Sequence, residues 1–288
     1  MALASPPLTI GAALKVGRRA LTVASETAGL DAQVLLAKAS GADRAWLLAH
    51  PEAPLAPEQA RDFQLFLDRC RGGEALAYVI GEWEFSGRAF HLTRDVLIPR
   101  PETELLVENA REFLRHRPGI RLAADVGTGS GCIAITLLAE IAGITFLATD
   151  LSLPALRVAS KNAITHRVAG RFHAVQMDLL SGTRAPLPLI CANLPYVPSK
   201  ELAGLMVGKR EPGLALDGGP DGLLLLRRFL GDLPRCLAPQ GRALLEIGAG
   251  QGEAILAWIG ATQPGLRGWV LPDLAGCDRL LVIERDAA

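Results

Sequence analysis

The stretch Leu122-Ala123-Ala124-Asp125-Val126-Gly127-Thr128-Gly129-Ser130-Gly131-Cys132 decides how the larger part of the chain is read. A short, mostly apolar strand pattern, Leu122 to Val126, runs into a glycine loop, and the loop runs into the apolar helix pattern Cys132 to Ile141. Glycines at such a turn let the backbone approach a ligand closely, and the opening turn of the helix points free N–H groups at it. A dinucleotide fingerprint has its third glycine where Cys132 stands, which disfavours a pyrophosphate ligand.

Working outward from this loop, strand and helix patterns alternate from Arg121 onward. Further strands are expected at Thr145–Thr149, Phe172–Gln176, Leu187–Ala192, Ala243–Ile247, about Leu266–Leu271 and Leu280–Glu284, the last two as an antiparallel edge. This alternation predicts an α/β fold, a doubly wound, largely parallel sheet with helices on both faces. Ligands of such sheets bind beyond the carboxyl ends of the strands, and three further groups fall there. Asp150 ends the second strand, at the distance from the loop where an acidic side chain takes ribose hydroxyls, although Ser152 and Pro154 after it also suit a helix cap. Asp178 follows the third strand and is placed to accept from an adenine amino group. Asn193-Leu194-Pro195-Tyr196 follows the fourth.

That tetrapeptide offers an amide oxygen, backbone carbonyls and a flat ring, a set that could grip a planar group carrying an NH2. Asn and Pro are also ordinary turn residues, so the conjunction of four such features at strand ends carries more weight than any one. A second glycine cluster, Gly248 to Gly252, reads as a tight strand-to-helix turn. Glu246 before it reads as a buried structural carboxylate that could still face the pocket.

Before the sheet, Leu8 to Arg71 has helical periodicity broken near Gly29, Gly41 and Pro51–Pro57, which predicts a small helical bundle. Asp31 is a candidate cap for its second helix, and Pro57-Glu58 a helix start. After the break at Arg71-Gly72-Gly73, Ala77 to Phe90 reads as a β-hairpin turning at Ser86-Gly87. The prolines of Ile98-Pro99-Arg100-Pro101-Glu102-Thr103-Glu104 force an extended wall beside the site, with a helix opening near Glu102 and running to about Arg117.

Thirty basic residues balance thirty acidic ones over 288 residues. Neutrality argues against bulk binding to nucleic acid. Five scattered cysteines and five histidines without metal-ligand spacing indicate neither a disulfide framework nor a metal site. No apolar run reaches the length of a membrane span, so a soluble cytoplasmic protein is expected.

These motifs closely resemble the release-factor glutamine methyltransferases of the HemK/PrmC family. The resemblance rests on Leu30-Asp31-Ala32, Val34 to Ala37, Gly81-Glu82-Trp83-Glu84-Phe85, Asp95 to Glu104, Asp125 to Cys132, Glu211-Pro212, Ala215-Leu216-Asp217-Gly218-Gly219, Leu245 to Gly248, and Asp273-Leu274-Ala275-Gly276 with Asp278-Arg279. It implies a helical domain over residues 1–73 that recognises the release factor, a linking hairpin over 74–97, and a seven-stranded class I S-adenosylmethionine-dependent methyltransferase domain over 98–288. Gly127, Thr128, Gly129, Ser130, Gly131, Asp150, Asp178 and Asn193 would then hold S-adenosylmethionine, which leaves as S-adenosylhomocysteine.

Asn193, Leu194, Pro195 and Tyr196 would hold the acceptor glutamine of the Gly-Gly-Gln tripeptide in class I release factors, with Asn193, Pro195 and Tyr196 the catalytic set. Phe90, Arg100 and Glu246 are further candidates on the substrate side, in packing or positioning roles. A monomer that binds no nucleic acid or membrane directly is expected. Leu194 stands where the commonest form of the motif has its first proline. Asn-Leu-Pro-Tyr also resembles ribosomal RNA adenine dimethyltransferases, so an adenine N6-methyltransferase is the alternative. Those enzymes usually place the helical domain last and lack the Ile98–Glu104 segment.

Overall fold

A computed structural model describes residues 8–287; residues 1–7 of the expected bundle and residue 288 lie outside the described residues. The chain divides into two compact units, one ending at Glu82 and the other beginning at Trp83. In the first, α1 (Ile10–Leu21), α2 (Ala28–Ser40), α3 (Arg44–Ala49), α4 (Pro57–Arg71) and α5 (Leu76–Ile80) enclose a core that includes Leu35, Leu36, Leu47, Phe63 and Leu67. Thr9 and Asp43 cap α1 and α3 by accepting from the Ala12 and Trp46 N–H groups, and Pro57 occupies the first turn of α4, where its missing N–H costs nothing. Asp31 is not a cap: α2 begins at Ala28, and the Asp31 carboxylate instead accepts from the Thr27 hydroxyl at 3.0 Å.

The expected hairpin is shorter than the sequence suggests. Ala77–Ile80 belongs to α5, which ends where the Gly81 N–H bonds back to the Ala77 carbonyl, as a glycine after a helix does. The β-formers Tyr78 and Val79 are buried here as helical residues, tertiary packing outweighing their local preference. The hairpin proper pairs β1 (Glu82–Phe85) with β2 (Arg88–His91) across Ser86-Gly87.

In the second unit seven strands, β3 (Leu122–Val126), β4 (Thr145–Asp150), β5 (Phe172–Gln176), β6 (Leu187–Asn193), β7 (Leu237–Glu246), β8 (Leu266–Pro272) and β9 (Asp278–Arg285), form one sheet in the order β5-β4-β3-β6-β7-β9-β8. All pairs from β5 to β7 are parallel, and β9 runs antiparallel to both neighbours. The helices are α6 (Glu104–Arg115), α7 (Cys132–Glu140), α8 (Leu153–Thr165), the short α9 (Ser199–Leu202) and α10 (Met206–Arg210), α11 (Leu224–Cys236) and α12 (Gly252–Thr262). On one face Phe229, Leu230 and Leu233 of α11 and Ile255 and Ile259 of α12 bury the apolar residues of β6, β7 and β9.

β8 and β9 pair antiparallel as expected, but β9 lies inside the sheet and β8 alone forms that edge. β7 starts at Leu237 rather than Ala243. Leu237 pairs with Leu187 and Arg242 with Leu189, so Pro239-Gln240-Gly241 bulge out, with Gln240 at φ 59°. Register aligns the strand ends that matter: Val126 is level with Thr149 and Ala192, Asp150 with Gln176, and Asn193 with Glu246.

Candidate active site

The carboxyl ends of β3 to β6 open onto a cleft of about 350 Å3, lined among others by Gly127, Gly129, Asp150, Asp178, Asn193 and Pro195. The glycine loop takes its form from steric necessity. Gly131 has φ 82°, and a Cβ there would stand 2.6 Å from Ile135 Cδ1, so only glycine allows α7 to start against this turn. Beneath the loop, Asp125 is fully buried; its Oδ2 accepts from the Thr128 hydroxyl at 2.7 Å and from the Ala134 N–H at 3.3 Å. Asn162, also fully buried, donates to the Ser130 carbonyl at 2.9 Å and exchanges hydrogen bonds with the His91 backbone, tying the loop to β2. Cys132 lines the cleft, but burial pushes its thiol up to about 12, which keeps it a neutral packing group.

Burial raises the Asp125 carboxyl from 3.8 to about 6. Because the folded-state value lies above the ordinary one, this group favours folding most below about 3.8 and loses that contribution as pH rises through about 6. The difference is on the order of 3 kcal/mol. Asp125→Asn keeps a carbonyl to accept from Thr128 and Ala134 and removes the titration. In denaturant unfolding between pH 4 and 7, wild type is expected to lose stability relative to this variant as pH rises; parallel curves would refute the assignment.

Asp150 Oδ2 accepts from the Gly129 N–H at 2.9 Å and Oδ1 from the Ser152 N–H at 2.8 Å. α8 is capped by Ser152, whose hydroxyl accepts from the Ala155 N–H, so the Asp150 carboxylate is left to the loop and the cleft. Burial raises its carboxyl above the usual range. Asp178 is paired with Arg228 Nη2 at 2.7 Å, both side chains about half exposed at the cleft rim. The residue after it, Leu179, is held at φ 50°, a costly conformation for a leucine that fixes the direction of this corner.

On the acceptor side, the Asn193 Nδ2 donates to the Thr103 hydroxyl at 3.1 Å, and that hydroxyl donates to Glu246 Oε2 at 2.6 Å. Tyr196 donates to Glu246 Oε1 at 3.0 Å. Burial raises both acids: the Tyr196 phenol is pushed well up, further so by the Glu246 charge, and the Glu246 carboxyl is raised by burial against the two hydroxyls, which stabilise its ionised form. Glu246, 2% exposed, is therefore an anchor under the site rather than a cleft wall. Tyr196 itself does not line the cleft. Leu194 is 4% exposed, and a Cβ on Gly127 would lie 3.2 Å from its Cδ2, so donor loop and acceptor turn touch there. The Val197 N–H bonds to the Leu216 carbonyl and the Gly218 N–H to the Val197 carbonyl, which is how Ala215-Leu216-Asp217-Gly218-Gly219 backs the tetrapeptide.

Arg100 lines the cleft and is held by Glu211, whose other oxygen accepts from the Ile98 N–H at 3.0 Å. Phe90 is brought to the core, not the cleft: it is fully buried, edge-on to Phe85 and tilted against His166. Thr103, Asn162, Glu211 and Arg228 were given no role from sequence. Glu211 and Thr103 fall in stretches that carried a signal, Glu211-Pro212 and Asp95 to Glu104; Asn162 and Arg228 act through partners 32 to 71 residues away in the chain. Among the described residues no cluster of His, Cys, Asp or Glu is arranged to hold a metal ion, and no helix is long and apolar enough to cross a membrane.

Strand order, glycine loop and strand-end carboxylates define a class I, Rossmann-like methyltransferase. The PrmC N-terminal domain family matches residues 12–81 and the methyltransferase small domain residues 101–210. Proteins named release factor glutamine methyltransferase are similar almost end to end: that of Cereibacter sphaeroides is 42% identical over 91% of this chain and 93% of its own, and that of Moorella thermoacetica 41% over 93% and 95%. The chain belongs to the release factor glutamine methyltransferase family. Among solved structures, the N-terminal domain of human METTL16 in complex with SAH shares the fold, with a TM-score of 0.51 at 18% identity over 74% of this chain and 81% of that one.

Proposed function

We propose that the protein methylates the side-chain amide nitrogen of the glutamine in the Gly-Gly-Gln motif of class I release factors, using S-adenosylmethionine bound in the cleft. The observation that carries this reading is the polarity of the acceptor turn. Asn193 spends its NH2 on Thr103, and neither its Oδ1 nor the Leu194 and Pro195 carbonyls accept a hydrogen bond from the described residues. Three acceptors on consecutive residues that line the cleft suit a planar amide presenting an NH2.

The cleft suits the donor. Asp150 keeps lone pairs for hydroxyl donors and Asp178 for an amino group, and Gly127 lets the donor loop lie directly against Leu194 of the acceptor turn. When bound, S-adenosylmethionine supplies an electrophilic methyl group and leaves as S-adenosylhomocysteine. The chain's part is positioning, because an amide lone pair is delocalised and a weak nucleophile. Asn193 Oδ1 and a backbone carbonyl would hold the NH2 and aim its nitrogen at the donor side of the cleft, which Gly127, Gly129 and Asp150 line. Tyr196, whose hydroxyl donates to Glu246, fixes the last residue of the tetrapeptide. The methylated nitrogen, positively charged and strongly acidic, would release its proton to water. In this reading the helical unit recognises the release factor, Arg100 supports the wall beside the site, and the protein works in the cytoplasm as a monomer.

The test is to incubate the protein with labelled S-adenosylmethionine and, separately, a release factor, its Gln→Ala variant at Gly-Gly-Gln, and a mixed RNA and DNA pool. Label confined to the glutamine is the expected result. Label on adenine alone would overturn it in favour of the adenine N6 alternative.

A further inference from the structure

Beneath the acceptor turn, a chain of hydrogen bonds runs between three separate segments. Thr103 comes from the proline-bounded turn before α6, Asn193 from the end of β6 and Glu246 from the end of β7. Thr103 and Glu246 are each 2% exposed, so water does not satisfy them and their protons must be shared among themselves.

A threonine hydroxyl has one proton. At 2.6 Å from Glu246 Oε2 that proton belongs to the carboxylate bond, which leaves the Thr103 oxygen only as an acceptor toward Asn193. The Tyr196 hydroxyl likewise donates to the second carboxylate oxygen, so Glu246 accepts at both ends and donates nowhere. An acceptor at Thr103 can be met only by the NH2 end of the Asn193 amide. An asparagine amide that could turn over would present donors in one orientation and an acceptor in the other. Here one of the two is excluded.

We propose that Thr103 and Glu246 form a polarity relay that locks the Asn193 amide with its oxygen free, making the acceptor turn selective for groups that bring an NH2. Thr103 and Glu246 are positioning residues: they act on substrate through Asn193. The inference deepens the glutamine-methylation reading and rests on it for the identity of the substrate, but the relay has a signature independent of any substrate. It also accounts for why a glutamine amide would be accepted and a glutamate carboxylate, which brings no proton, refused.

The chain contains three asparagines, Asn109, Asn162 and Asn193. Selective 15N-asparagine labelling therefore yields three side-chain NH2 pairs, and Asn193→Ala identifies the one of interest. In wild type that pair is expected to exchange slowly with solvent. In Thr103→Val, which keeps the shape and loses the hydroxyl, and in Glu246→Gln, whose amide can donate to Thr103 and turn its proton toward Asn193, the pair should shift and lose protection. The Asn109 and Asn162 pairs should stay in place. Both variants should lower kcat on a release factor about 10- to 100-fold, the range for losing a group that orients a functional side chain. Affinity for S-adenosylhomocysteine by calorimetry should change less than about 3-fold, and Thr103→Ser should recover most of the rate. If Thr103→Val does not fold, Glu246→Gln and Thr103→Ser carry the test. An unmoved Asn193 signal in folded Glu246→Gln, or kcat there equal to wild type, overturns the relay. Wild type that methylates no release factor would instead overturn the substrate assignment, while the amide signals still report on the relay.

Discussion

Asn193→Ala is expected to lower kcat on a release factor about 100- to 1000-fold while leaving S-adenosylhomocysteine affinity within about 3-fold of wild type, the loss expected when an oriented polar contact at the reacting group is removed. Asn193 sits at the end of β6, paired through its backbone with Glu246 of β7, so truncation beyond Cβ leaves the strand in register. In the proposed reading, what disappears is the acceptor that aims the substrate nitrogen. An amide nitrogen cannot compensate by intrinsic reactivity, because its lone pair is shared with the carbonyl, so misaiming should appear in kcat. Single-turnover rates with calorimetry separate the two quantities. Turnover near wild type would remove Asn193 from the mechanism.

Asp150→Ala should act on the other substrate. The carboxylate anchors the Gly129 N–H and holds lone pairs toward the cleft, so its removal both loosens the glycine loop and deletes the hydroxyl acceptor. Donor affinity is expected to fall about 30- to 100-fold, near 2 to 3 kcal/mol, the scale of one or two charge-assisted hydrogen bonds. Because Ser152 rather than Asp150 caps α8, and because burial already disfavours this carboxylate, the fold should keep its melting temperature. Calorimetric titration with S-adenosylhomocysteine measures the loss, and kcat at saturating donor should be largely retained. Unchanged affinity would mean that Asp150 is only a loop fastener.

The parts legible in the sequence are those written into adjacent residues. β3 and β5 have the expected bounds, and the glycine loop, Asp150, Asp178 and Asn193 meet at one cleft because a parallel sheet brings the ends of its strands to one side. What escaped depends on distant partners. Thr103 is one threonine in a proline-bounded turn until β6 and β7 bring Asn193 and Glu246 to it, and no local spacing encodes that meeting. Arg228 reaches Asp178 from α11 across 50 residues of chain. The Leu76–Ile80 helix was hidden by β-forming side chains, and the bulge at Pro239–Gly241 by the shortness of a five-residue strand pattern.

The position of β9 constrains the order in which this protein can be made. β7, the strand that carries Glu246, and β8 both pair with β9, which the ribosome delivers after either of them. Until then one flank of β7 is an exposed edge, with its backbone donors and acceptors unpaired. The anchor under Asn193 and Tyr196 thus acquires its full support only when Asp278–Arg285 has emerged, so a nascent chain that still lacks that segment should be inert.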